Sequence, residues 1–487
     1  MDIRYVLVWM ILSLPVVMRG QDFSDLPGID TVYFEDIRSI EFRVAVSSAG
    51  GDDTATLEDE VADVENQLKR ANDPNRIRRL QDRLDELRRR LRQQYKAAAS
   101  RDSWDSLYTT PLSHLPVYHL GTHQQIYFAF DDLNPEETRY AYTVVPYSWD
   151  WKEPLDLSES EYLTNYAYSE ITDYLYSELT TTDYTAYRFR FPNGEMGVKY
   201  AGNYLLVVYE LSSGAPAFTR RLYVTDDSFA FADDVRQPAY EVDSLQYINV
   251  SVEYPEDLVR LAPARDVKLV VLQNGRYDNA VVRERPSMVS FRQLRYGYQD
   301  PIVFQAFKQC RFVMMQTFRF AQVHTERLKH SDEGVEVYLT PDRLRAGAPS
   351  FDYHDLDGLY VTMHGIRNDE PGMADYAYVY FSLRADEPFD AADVYVVGKM
   401  TDWQFRPEYK LSYNPRARRY EGEVFLKQGY YDYYYALRRG GSPRLYMDET
   451  EGHYRGTDNT YQILVYHTEP TGRFQRLVAM KTIKFVP

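Results

Sequence analysis

Apolar and polar residues alternate with a period of two along most of this chain, the pattern of half-buried β-strands. Ile40, Phe42, Val44 and Val46 are interleaved with Glu41, Arg43 and Ala45. Further runs follow as "QIYFAF", "RYAYTVV", "AYRFRF", "NYLLVVYE" and "RRLYVTD", each bounded by Gly, Pro, Asn or Asp. The runs are short and regularly spaced, and no helical period separates them. That spacing predicts antiparallel sandwiches, not a parallel α/β sheet. A loop-like acidic stretch, "DDSFAFADDV", then precedes a second set: "SLQYINVSVEY", "DVKLVVLQNGR", "QCRFVMMQTFRF" and "GVEVYLTP". A third set starts at "DYAYVYFSLRAD" and ends with "TYQILVYH". Three β-domains in tandem are expected, over 21–228, 229–372 and 373–487.

One segment departs from this period. Leu57, Val61, Val64 and Leu68 recur at helical steps, and Ile77, Leu80, Leu84, Leu87 and Leu91 repeat the pattern. Between them Asp73-Pro74 is a helix-start signal. The first half is acidic and the second rich in arginine, so two antiparallel helices zipped by opposite charge are expected over 53–99. They would be an insertion in the first β-domain, in the loop between its first and second strands. The N-terminus carries Arg4 followed by an apolar stretch from Tyr5 to Met18, too short to span a bilayer. Residues 1–20 therefore read as a secretory signal peptide. No later stretch of the sequence predicts a transmembrane segment.

Composition narrows the function. The 487 residues carry a formal net charge of −17, which disfavours nucleic acid as a partner. Tyrosine is in excess, 45 against 23 Phe and 5 Trp, and suits half-buried sheet faces. Cys310 is the single cysteine, so an intramolecular disulfide and a thiolate metal cluster are both excluded. It is expected to be a buried apolar residue. The sequence holds no phosphate-binding Gly-rich loop, no GxSxG and no HExxH. His114, His119 and His123 are close in sequence but straddle a Pro and a Gly, which favours a solvated loop over a metal site. Asp131 and Asp132, in "FAFDDLNPEE", are the best-placed carboxylates and read as turn chemistry. No catalytic, cofactor-binding or metal-binding residue is assigned.

The third domain offers a sharper feature. "VYVVGKMTDWQF" and "RRYEGEVFLKQGYYDYYYAL" are similar to glycogen- and starch-binding modules of the early-set immunoglobulin type. In that group the turn tryptophan, here Trp403, can stack on sugar rings. The same turn and strand also occur in domains of this type that bind no sugar, where the aromatics complete the sandwich, and that is the stronger reading here. After Gly429, strand alternation sends Tyr431, Tyr433 and Tyr435 to one face and Tyr430, Asp432 and Tyr434 to the other. The odd face is expected to be core. The even face, marked by Asp432, is expected to be the less buried one. Trp403, Tyr430 and Tyr434 are accordingly the candidate contacts for a partner or a sugar. The fold class expected is all-β: tandem immunoglobulin-like β-sandwich domains with a helical hairpin inserted in the first.

Several ordered segments resemble one known family. They include "LPVYHLGTHQQIYFAFDDLNPEETRYAYTVV", "TAYRFRFPN", "YAGNYLLVVYE", "VKLVVLQNGRYDNAV", "VYVVGKMTDW" and "GTDNTYQILVYH". Taken in order, the chain resembles the plug protein of the bacterial type IX secretion system. The family typically lacks the long charged hairpin. The resemblance implies a non-enzymatic periplasmic subunit, without cofactor, peripherally associated with the outer membrane. Its implied partner is the outer-membrane translocon barrel, whose periplasmic opening it would plug when idle. The alternative is a periplasmic carbohydrate-binding protein using the C-terminal domain. An enzyme acting on envelope polymers rests only on location and abundant carboxylates.

Overall fold

Gly202–Glu210 reads "GNYLLVVYE", with no polar face, and both of its faces are buried. Tyr204, Leu206 and Val208 belong to one core, while Leu205, Val207 and Tyr209 belong to another. A strand of this kind lies in the middle of a layered structure, covered above and below. The computed structural model describes residues 23–45, 64, 83, 112–134, 136–232, 244–255, 262–332, 334–350, 353–363, 372–469 and 473–485. The expected signal peptide at 1–20 lies outside them. So does the expected hairpin at 53–99, apart from Val64 and Arg83, which are each helical. The described chain is mostly β, built as several sheets.

Gly202–Glu210 sits in a ten-stranded sheet. Its order is Val281–Arg283, Val267–Gln273, Thr460–Thr468, Gln475–Lys484, Pro216–Thr225, Gly202–Glu210, Tyr140–Tyr147 and Ser169–Ile171. Thr31–Val32 and Val117–His119 also pair with Pro216–Thr225. One half of this sheet is covered by a four-stranded sheet of Ile37–Ala45, Gln125–Asp132, Thr185–Phe191 and Asp173–Tyr176. There Phe130 stacks on Tyr187 and Phe128 on Phe189, each pair 5.1 Å between ring centres. The other half is covered by two smaller sheets that include Val250–Glu253, Gln293–Tyr296 and Ile302–Gln305. The ten-stranded sheet curls so that its two halves meet back to back. Leu205 and Val207 pack in one cluster with Val270, Leu272 and Leu464.

A second ten-stranded sheet forms the remaining unit. It runs in the order Arg311–Met315, Gly429–Arg439, Ala392–Val397, Lys410–Asn414, Arg419–Lys427, Tyr376–Arg384, Gly334–Leu339 and Thr325–Ser331, with Asp342–Arg343 also paired to Tyr376–Arg384 and Tyr360–Thr362 to Gly429–Arg439. Tyr431, Tyr433 and Tyr435 fill its core, as the alternation predicts.

The sheets do not follow the division expected at 372. Thr460–Thr468 pairs with Val267–Gln273 over a continuous register from Val267 with His467 to Gln273 with Tyr461. The last strands of the chain thus complete the second unit. Arg311–Met315 and Gly334–Leu339, expected in that unit, belong to the third sheet. The third unit is an insertion within the second. Alternation marks where strands are, but partner choice depends on which apolar faces match in space.

Charges buried where the units meet are paired. Glu451 is fully buried and lies 3.1 Å from Arg311 and 2.7 Å from Arg345. Burial alone would raise its carboxyl, but the two guanidiniums hold it below the usual range. Arg220 of the first unit reaches Asp402 of the third at 3.3 Å. Burial opposes ionisation of Asp402, yet Arg220, Lys399 and Arg406 bring it down to about 2.

Two outcomes follow from these pairs. Glu451→Gln leaves Arg345 without its counter-charge and Arg311 with Asp342 alone, and should cost about 3–5 kcal/mol, read from denaturant midpoints. Asp402 has a depressed folded-state value, so its contribution is complete above the unfolded carboxylate range near pH 4. It is lost as the pH falls toward about 2. Asp402→Asn should therefore be less stable than the parent at pH 7, and the gap should close between about pH 4 and 2. An unchanged gap across that window would contradict the pairing.

Candidate functional site

The three residues nominated from sequence fall into different surroundings. Trp403 is 4% exposed and Tyr434 is 2% exposed. Tyr430 is half-buried and stacks on Phe312 at 5.3 Å. Asp432, expected to mark an open face, is fully buried. The expectation of an open even face is therefore corrected. Gly429–Arg439 is covered on both sides, by the third core and by a cluster of Phe307, Cys310, Tyr395, Trp403, Leu445 and Met447.

Trp403 closes that cluster. Its indole lies against the backbone of Gly358, where an added Cβ would come within 2.2 Å of the ring. Gly358 also has a φ of +84°, so a side chain there would be strained twice over. The Arg276 guanidinium stands 5.2 Å from the ring centre. In this arrangement neither Trp403 nor Tyr434 is presented to a sugar ring or a protein partner.

Ionisable groups in the same region are held by burial. Cys310 is buried, as expected, and burial pushes its thiol well above the usual range, which removes it as a nucleophile. Burial and then the neighbouring Asp355 push the Asp432 carboxyl up to about 8. Its Oδ2 accepts from the backbone N–H groups of Leu356 and Gly358, and its Oδ1 has no partner. Burial likewise raises Asp357 to about 7. The three histidines grouped by sequence part company. His114 is buried, and desolvation followed by Lys399 lowers it to about 3. His119 pairs with Asp227 at 2.5 Å, and His123 is exposed.

Asp132 supports the turn that follows its strand, accepting from the backbone N–H of Asn134 at 2.9 Å, whereas Asp131 takes no part in that turn. Both are buried at the end of Gln125–Asp132. Asp131 accepts from Lys427 and from the Tyr376 hydroxyl, both at 2.6 Å, and so ties the first unit to the third. Asp132 accepts from Tyr140 at 2.8 Å. These carboxylates hold structure together.

Exposed apolar side chains lie elsewhere, at Leu175, Tyr176 and Leu179, at Phe320 and Val323, and along 282–298. Met288–Ser290 is an exposed strand at the margin of its sheet, paired only with Gln293–Tyr296. Phe291, at the tip of that hairpin, is 81% exposed. Val282, Met288, Val289 and Tyr298 are also exposed. Val281–Arg283 ends the large sheet, so two sheet margins finish in one stretch of chain. Across 281–300 Arg283, Arg285, Arg292 and Arg295 outnumber Glu284 and Asp300, against the acidic balance of the whole chain. Exposed Phe, Met and Tyr with Arg is the side-chain composition of a protein contact surface. A local basic run within an acidic sequence was the signal that could have pointed to it.

If Trp403 is a core residue, Trp403→Ala should lower stability by about 3–5 kcal/mol. Titration of the parent protein with α-glucans should leave its tryptophan fluorescence unchanged. A saturable change that disappears in Trp403→Ala would reverse this assignment.

Comparison with known proteins bears on the first unit and on the whole fold. Residues 102–226 match the family model described as type 9 secretion system plug protein 1st domain. Over the whole chain, the crystal structure of a hypothetical protein from Parabacteroides merdae ATCC 43184 superposes with a TM-score of 0.76 and 25% identity. That match covers 94% of this chain and all of the other. The C-terminal domain of the Streptococcus pyogenes antigen I/II-family protein AspA aligns over 76% of this chain and 94% of its own, at a TM-score of 0.12 and 6% identity. That score is too low to bear on the fold. No curated protein matches. Residues 102–226, which begin just ahead of Val117–His119 and run through Pro216–Thr225, thus carry the first domain of type 9 secretion system plug proteins.

Proposed function

We propose that the protein is a non-enzymatic periplasmic subunit of the type IX secretion system. It binds the outer-membrane translocon barrel and plugs the periplasmic opening when the barrel is idle. The observation that carries this reading is the family match over residues 102–226. The architecture is consistent with it, because a stopper needs bulk that does not deform. A sheet shared between two units, and buried charge pairs to the third, supply that stiffness. The immunoglobulin-like type of the β-units belongs to this same proposal, as does peripheral attachment to the outer membrane. No helix among the described residues is long and apolar enough to cross a membrane. The carbohydrate-binding alternative loses its main support with Trp403 buried.

The hairpin of Met288–Ser290 and Gln293–Tyr296 is the proposed contact with the barrel. Its exposed Phe291 and Met288 are suited to fill pockets on a partner, with arginines around them. Tagged protein should co-purify the barrel from detergent-solubilised envelopes, and deletion should make the envelope leaky to small antibiotics. A double Met288→Asp, Phe291→Asp variant should retain its unfolding midpoint while recovery of the barrel falls by about 30-fold or more, the scale of a hot-spot loss. Recovery equal to the parent would remove the hairpin from the interface. No barrel in the parent pull-down, together with an intact permeability barrier on deletion, would refute the plug itself.

A further inference from the structure

The three units converge on a cluster of acidic side chains that the plug reading leaves without a role. Asp355 and Asp357 lie in the loop "HDLDG" that precedes Tyr360–Thr362. Asp458 stands just before Thr460–Thr468, the strand that returns the chain to the second unit. Oxygens of Asp355, Asp357 and Asp458 all lie within 4.8 Å of one another. Calcium is ligated at about 2.3–2.6 Å, so oxygens up to roughly 4.6–5.2 Å apart can share one ion. Asp432 stands behind them, with its carboxylate within the same distance of Asp355.

Nearby polar atoms are left open. Asp458 gives its Oδ2 to Lys484 at 2.7 Å and to the exposed His354 at 3.3 Å, while its Oδ1 has no partner. Asp355 accepts from the backbone N–H groups of Cys310 and Asp357, and Asp357 accepts from the Thr460 hydroxyl. Lys484 makes an ion pair with Asp458 of this triad, and the exposed His354 ring reaches the same carboxylate.

A second observation comes from the first unit. His114 is 7% exposed and lines the same cavity of about 220 Å³ as Asp355, Asp357 and Thr460. Its Nδ1 is buried and has no hydrogen-bond partner. A buried polar atom left open on the wall of a cavity calls for a polar occupant there.

We propose that Asp355, Asp357 and Asp458 bind a calcium ion at the junction of the three units, with His114 Nδ1 accepting from a water on that ion. All-oxygen donors favour calcium over metals that prefer nitrogen or sulfur. The ion would staple the loop of the third unit to the strand that closes the second. It does not depend on what the protein plugs.

The test uses the full chain after chelator treatment, titrated with calcium chloride and followed by calorimetry and thermal unfolding. One saturable site is expected, with a dissociation constant of about 1 mM or tighter, as in extracellular calcium modules. The unfolding midpoint should rise by several degrees at saturating calcium. Terbium should bind there too, with luminescence sensitised by tyrosine and quenched by calcium. Asp357→Asn and Asp458→Asn should each weaken binding at least tenfold, and their metal-free unfolding midpoints verify that both fold. Asp173→Asn, an exposed carboxylate of the first unit, should bind as the parent does. The proposal is overturned if calcium neither binds nor shifts unfolding at 10 mM. It is equally overturned if both Asn variants retain parental affinity, or if zinc binds and calcium does not.

Discussion

Burying both faces of one β-sheet is the constraint from which the rest of this architecture follows. Gly202–Glu210 carries apolar side chains at almost every position, so a single packed partner would leave half of them in water. At about 25 cal/mol per Å² of apolar surface, covering the second face is worth several kcal/mol. The sheet meets that requirement by curling, so that its own far half covers Leu205 and Val207 while separate sheets cover the outer faces. Two units that share a sheet in this way cannot move apart without exposing a core.

Tyrosine makes the same arrangement possible at the joints. Among the described residues, eleven of the twelve largest fully buried side chains are tyrosines, which places them in cores and not on a display surface. Each brings an apolar ring and one hydroxyl that must find a partner when buried. Several hydroxyls find it across a joint. Tyr376 donates to Asp131, Tyr466 to Asn203, Tyr184 to the Ala374 carbonyl and Tyr360 to the Ile40 carbonyl. A leucine of similar size would fill the space but leave the acceptor orphaned. The excess of tyrosine thus reflects how the units are joined, and the surface suited to a partner is built from Phe291, Met288 and arginines instead.

Rigidity and regulation meet at the point where the inserted unit leaves and rejoins the chain. The loop with Asp355 and Asp357 and the segment with Asp458 are distant in sequence and adjacent in space. An insertion needs both of its connections secured, since either one could fray. Arg311, Arg345 and Glu451 secure one side of the inserted unit with buried charge. The acidic cluster of Asp355, Asp357 and Asp458 has less positive charge at hand, which is the feature behind the proposed binding of calcium there.

How much of this was legible depends on the range of the physics involved. Strand positions, the inward-facing Tyr431, Tyr433 and Tyr435, and the burial of Cys310 follow from local period and residue type. Those properties are decided by neighbours two residues away. Tyr434 and Asp432 were misplaced because alternation reports two faces of a strand and is silent on whether the second is covered. Asp131 looked like a turn residue because its partners, Lys427 and Tyr376, are hundreds of positions away. The sequence by itself determined that the chain is β-rich and where its strands alternate. Only the tertiary structure decided which strands share a sheet and which polar groups meet, because those depend on matching surfaces that no local pattern encodes.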